Sequence, residues 1–131
     1  MAVPKFRVWH KPMQRMGEVL AISFERQKVK IRHLRGTTHM TVPFDDVELM
    51  QSTWQFDNST PKKEIFESDI VEWEHKDTGQ LVRGIIKYDA EFGFWGMTDV
   101  RFSDLRAIGY LANQKVTVLG NIYQNKELVE E

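Results

Sequence analysis

The sequence predicts a mainly β protein with at most one or two short helices, and three observations carry that prediction. First, Arg26, Lys28, Lys30 and Arg32 fall on one face of an extended segment while Val29 and Ile31 fall on the other, a period of two that no helix produces. Second, Ile70-Val71-Glu72-Trp73-Glu74-His75 alternates apolar and polar residues, Asp77-Thr78-Gly79 supplies turn chemistry, and Leu81 to Tyr88 resumes extended character, which together read as a hairpin. Third, residues 52–63 turn to Ser, Thr, Asn, Asp and Pro and divide the 131 residues into two small β units. Trp54 and Phe56, embedded in that stretch, are expected to pin it to a core.

The remaining elements follow in order. Phe6-Arg7-Val8-Trp9 alternates in strand fashion, and the segment from His10 to Gln14, with Pro12 inside it, breaks the strand into a turn. Val19-Leu20-Ala21-Ile22-Ser23-Phe24 is a short apolar run suited to a buried strand. Arg35-Gly36-Thr37-Thr38 turns the chain into a strand from His39 to Val42 that ends at Pro43. Asp45-Asp46 before Val47-Glu48-Leu49-Met50 fits either a capped helical turn or another strand. Beyond the hairpin, Ala90-Glu91-Phe92-Gly93 makes a turn into Phe94-Trp95-Gly96-Met97. Ser103-Asp104 can cap a short helix through Leu105, Ala107, Ile108 and Leu111, and Val116-Thr117-Val118-Leu119 reads as a last strand. The expected core is Phe6, Val8, Ile22, Phe24, Val29, Ile31, Ile70, Trp73, Ile85, Tyr88, Trp95, Val118 and Ile122.

Composition narrows the function classes. Hydrophobic residues make up 41% of the chain and charged residues 28%, enough apolar surface to fold. Cysteine is absent, which excludes disulfides, thiolate nucleophiles and Cys-based zinc sites. The N-terminus has no apolar stretch of secretory length, and no run approaches the roughly 20 residues that cross a bilayer, so a soluble, cytoplasmic protein with no membrane partner is expected. The formal charge of −1 hides an asymmetry: residues 1–43 carry nine Lys and Arg against only Glu18 and Glu25.

No catalytic grouping emerges. His10, His33, His39 and His75 are scattered without metal-ligand spacing, so no metal site and no cofactor is predicted. His33 and His39 can approach across the Gly36 turn, but two polar residues on a hairpin is the simpler reading. Asp45-Asp46, Glu72 with Glu74, and Asp99 with Asp104 are paired carboxylates, yet a turn or cap explains the first pair and a solvated strand face the second. There is no nucleophile elbow, Walker A loop or dinucleotide glycine pattern. The chain is therefore read as no enzyme.

The one cluster with functional geometry is basic. Arg26, Lys28, Lys30 and Arg32, with Arg35 close by, are spaced along a strand at about 6.5 to 7 Å, comparable with phosphates along a nucleic-acid strand. The alternatives are a solvated face that guards a sheet edge against aggregation, or a surface that meets the acidic part of a neighbouring subunit.

Four segments resemble the YopX family of small phage- and prophage-encoded proteins: Phe6-Arg7-Val8-Trp9 with Arg15-Met16; Leu49-Met50-Gln51 with Thr53; Glu64-Ile65-Phe66-Glu67-Ser68-Asp69-Ile70-Val71; and Leu119-Gly120-Asn121-Ile122-Tyr123-Gln124-Asn125. Their order and spacing agree across nearly the full chain. This chain departs from the family at Trp54 and Ser68, where glycine is usual, in the 57–61 stretch that replaces a D-x-x-G turn, and at Lys126, where proline is common. The resemblance implies two small β-barrel-like subdomains, the second SH3-like, and carries no catalytic set. The expected organisation is a basic β subdomain over 1–51, a connector over 52–63, an SH3-like subdomain over 64–123 and a loosely held polar tail over 124–131. The expected function is that of a non-enzymatic accessory protein in the bacterial host cytoplasm that forms a homo-oligomer or binds a protein partner; the alternative is a nucleic-acid-binding module using Arg26, Lys28, Lys30, Arg32 and Arg35.

Overall fold

The structure, a computed structural model, describes residues 5–74, 78–91, 93–99, 107–110 and 115–129. The chain divides into two compact units, Met1–Ser52 and Thr53–Glu131. The mainly β expectation holds. The elements are antiparallel strands joined by turns, with short 3-10 turns at Phe44–Asp46 and Lys126–Leu128, and among the described residues neither sheet closes into a barrel.

In the first unit, β1 (Phe6–His10), β2 (Arg15–Ser23), β3 (Lys28–His33), β4 (His39–Pro43) and β5 (Val47–Phe56) pair in the order β4-β3-β2-β1-β5. The register puts Val8, Val29, Ile31, Val42 and Val47 into one buried cluster, with Val19, Ile22, Met40 and Leu49 packed against it. The alternation read for β3 is correct: Val29 and Ile31 are buried, Lys28 and Lys30 exposed. Val19 and Ile22 sit three apart yet face the same cluster, because a bulge between Val19 and Ala21 shifts the phase of β2 by one residue. That bulge leaves Leu20 exposed.

The second unit begins inside β5, whose last residues lie beside β6 (Glu64–Phe66); the Thr53 hydroxyl donates to the Ile65 carbonyl at 2.7 Å. β7 (Asp69–Glu74), β8 (Leu81–Asp89), β9 (Phe94–Asp99), β10 (Ala107–Tyr110) and β11 (Thr117–Asn121) form a second sheet in the order β10-β9-β8-β7-β11. Its core is Ile65, Val71, Trp73, Val82, Ile86, Met97 and Val116, with Trp95 and Val118 packed against it. Gly84 on the central strand β8 is required by space: a Cβ there would lie 2.7 Å from the Thr98 carbonyl oxygen and from the Trp73 ring. The tail is tied down, since the Arg83 guanidinium donates to the Leu128 carbonyl at 3.2 Å.

Several expectations change. Ala107–Tyr110 is strand, not helix: pairing with β9 wins over the Ser103-Asp104 cap, and Gly109 adds nothing to helix stability. Ser103 to Arg106, the Leu111 end of that expected helix, and the hairpin residues His75 to Asp77 lie outside the described residues. The 52–63 connector is ordered strand as far as Phe56. Trp54 and Phe56 are exposed rather than built into the core, because Trp54 has a left-handed φ of 59° that breaks the pleat alternation. Phe24, 75% exposed, lies in the turn beyond β2 with an edge-on contact to Phe44, and Tyr88 is exposed near the end of β8 against the edge of Trp95. Ser68 keeps the conformation that glycine would favour, with φ 71°.

Candidate functional site

The five predicted contact residues do not form one stripe. Lys28, Lys30 and Arg32 do share the face of β3 opposite the core. Arg26 lies in the turn before that strand, and Arg35, with a left-handed φ of 66°, in the turn after it. Arg32 is held by Glu18 on the neighbouring strand, which cancels its charge locally. Lys28 and Lys30 remain, flanked on β4 by Pro43 and Thr41, so two exposed cations are the centre of the basic surface.

The carboxylate pairs also separate. Asp45 and Asp46 make up the 3-10 turn between β4 and β5. Glu72 is half-buried, 3.6 Å from the Arg83 guanidinium, while Glu74 is exposed. Asp99 ends β9 and Asp104 lies outside the described residues. Among the described residues no three His, Asp or Glu side chains gather as metal ligands.

Sequence reasoning missed the buried polar groups. His33 does not approach His39, which is exposed on the other face opposite Arg32; it meets His10 instead. The Nδ1 of His10 and the Nε2 of His33 are 2.9 Å apart, with the rings stacked at a centroid distance of 5.1 Å. The two belong to β1 and β3, on either side of β2, about two strand spacings or 9.5 Å apart in backbone. Gly17 of β2 faces Val8 and His33 in register and carries no side chain, and a Cβ there would crowd the Arg32 carbonyl and Val8; Arg15 faces His10, and the imidazoles meet across β2. Burial lowers the pKa of His33 below its usual value, and the Arg15 guanidinium and His10 lower it further. A glycine inside a strand between two histidine-bearing strands was the available signal.

Asp57 is the second such group. Its Oδ1 accepts from the backbone N–H of Ser59 and Lys63, and its Oδ2 from the Ser59 hydroxyl and the Val118 N–H, at 2.8–3.0 Å. Burial alone would raise this carboxyl, but the hydrogen bonds from Lys63, Val118 and Ser59 outweigh it and hold the pKa below the ordinary value. Asp69 accepts from the Phe66 N–H at 2.8 Å and closes the turn at Glu67-Ser68. Asn121 binds the N–H groups of Tyr123 and Gln124, and its own N–H donates to Asn125. These residues hold turns.

Fold and polar groups together define a class: a two-unit, antiparallel β protein whose buried carboxylates and amides fasten its loops. The chain matches the family described as YopX protein over residues 5–130, and it belongs to that family. The crystal structure of protein EF1440 from Enterococcus faecalis is similar to it, with a TM-score of 0.63 and 25% sequence identity over 99% of this chain and 100% of that chain. No curated protein matches it. Ser68-Asp69 and Asn121 with Asn125, within the segments that resemble the family, are turn-holding positions.

Proposed function

We propose that the chain is a non-enzymatic accessory protein of phage or prophage origin that works in the bacterial cytoplasm by assembling with copies of itself. The supporting observation is the division of charge: residues 1–52 carry nine Lys and Arg against five Asp and Glu, and residues 53–131 carry nine against fourteen. Opposite charges on two units of one chain favour head-to-tail contact between copies, with Lys28 and Lys30 as exposed cations on the basic side. The absence of a catalytic motif in the sequence is consistent with it. Light scattering after size exclusion is the test. An oligomer at high micromolar concentration in about 50 mM salt, dissociating in several hundred millimolar salt and weakened by Lys28→Glu with Lys30→Glu, is expected. A strict monomer at both salt concentrations overturns the reading.

A second reading is favoured by one observation: Phe24, 75% exposed, shares with Arg26 the turn that leads into Lys28. An exposed ring next to cations is what a single-stranded nucleic acid uses, base on ring and phosphate on cation. Gel shift at about 50 mM salt tests it, since phosphate contacts weaken steeply with salt. No shift, or binding unchanged when Lys28, Lys30 and Arg32 become Glu, removes it.

A further inference from the structure

We propose that His10 and His33 form an acid-sensitive latch that fastens β1 to β3 across Gly17 while both rings are uncharged and loosens when the pair takes up a proton.

The geometry makes the pair depend on protonation. Both histidines are buried, with exposures of 4% and 6%. A nitrogen–nitrogen distance of 2.9 Å is a hydrogen bond only if one ring offers an N–H and the other a lone pair. Two neutral imidazoles satisfy this, and so do one neutral and one charged ring. Two imidazoliums put N–H against N–H and lose the bond. One charged ring keeps the bond but leaves a cation in a desolvated place, and the surroundings do not compensate it.

Among the described residues, the groups around the pair are cationic or apolar. From β2, Arg15 faces His10 in register and its guanidinium donates to the Leu34 carbonyl at 3.4 Å, just past the end of β3. From β5, the residue opposite His10 is Val47, and Glu48 points to the other face, 3.5 Å from Lys11. From β3, the neighbouring Arg32 also lies on the other face with Glu18. The charges that act on His33 are those of Arg15 and His10, and both oppose a further proton. A buried cation without a carboxylate partner is destabilising, so the proton is taken up more readily when the strands separate.

The sign follows. A histidine harder to charge in the folded state leaves the unfolded chain binding more protons at mildly acid pH. Stability is therefore full above the unfolded histidine value of about 6.5 and falls as pH drops below it, levelling off only beneath the depressed folded value. The folding constant falls by up to tenfold for each pH unit of that interval. His39, exposed on the opposite face, serves as the control.

The test has two arms on the full chain. Imidazole NMR across pH 8 to 5 reads the protonation of each ring in the parent protein; His33 is expected to titrate below the ordinary imidazole value of about 6.5. Urea midpoints over the same range are expected to fall with acidification in the parent and in His39→Gln, and to flatten in His33→Gln. If His33 titrates at or above the ordinary imidazole value, the latch is overturned whatever the variants do. An acid slope as steep in a folded His33→Gln as in the parent overturns it equally. Should His33→Gln fail to fold, His10→Gln read by the same urea midpoints and the parent titration still decide.

Discussion

Asp57 offers the sharpest quantitative test, because replacing it by Asn changes one oxygen for an amide and little else. The carboxylate accepts from three backbone N–H groups, those of Ser59, Lys63 and Val118, and from the Ser59 hydroxyl. An Asn amide keeps one oxygen, best placed against Ser59 and Lys63 where two N–H groups converge. Its NH2 then lies against the Ser59 hydroxyl, which can rotate to accept, and against the Val118 N–H, which cannot. One buried donor is orphaned and the remaining bonds lose charge assistance. With a bond to a charged group worth about 1.5–3 kcal/mol, Asp57→Asn is expected to cost about 2–3 kcal/mol, and Asp57→Ala, which orphans all three N–H groups, about 4 kcal/mol or more. Urea unfolding followed by tryptophan fluorescence reads this, as Trp73 and Trp95 belong to the core of the second unit. The midpoint should drop with little change in slope. The folded-state carboxyl titrates below its ordinary value, so its contribution is present above the usual carboxylate range and is lost as pH falls through the lowered value; that acid limb should be missing from Asp57→Asn. An Asp57→Asn protein within about 0.5 kcal/mol of the parent refutes the reasoning, since it would mean that water or a shifted loop satisfies the Val118 donor.

Substitutions at three other positions have expected outcomes. Gly84→Ala drives a methyl into the Thr98 carbonyl and the Trp73 ring, and should cost about 1–3 kcal/mol, read as a melting temperature lower by several degrees. Ser68→Gly relieves a left-handed φ at about 1 kcal/mol but frees the unfolded chain by about 0.5–1 kcal/mol, so it should leave stability unchanged or slightly raised, while Ser68→Val should cost more than 1 kcal/mol by about the crowding of its branched Cβ; equal melting temperatures for the two refute the assignment. Gly120→Ala places its Cβ against the Asn125 side chain, which accepts from the Asn121 N–H, and amide exchange should quicken at Asn121 first.

The strands were legible wherever one face is buried and the other wet. β3 and β7 declare themselves by alternation, and the resemblance located the turn residues Asp69 and Asn121 without saying what they do. Legibility stopped where geometry is not periodic. The bulge at Leu20 hides the true phase of β2, and the left-handed Trp54 turns two aromatics outward that composition places in a core. Ala107–Tyr110 is a strand because β9 offers it partners, a tertiary fact that local capping chemistry cannot contain. The histidine pair was hidden for a related reason: residues 10 and 33 become neighbours only when β2 is inserted between their strands with a glycine at the crossing.

The boundary between the two units has a consequence for how the protein can be divided. It falls between Ser52 and Thr53, neighbours in one strand, Val47–Phe56. A cut there leaves both fragments ending in mid-strand: residues 47–51 stay paired with β1 in the first and Thr53 keeps its hydrogen bond to Ile65 in the second, but the strand that runs through both is severed. A nick, an insertion or a recombination seam placed at this boundary would therefore fall inside a paired strand rather than in a loop.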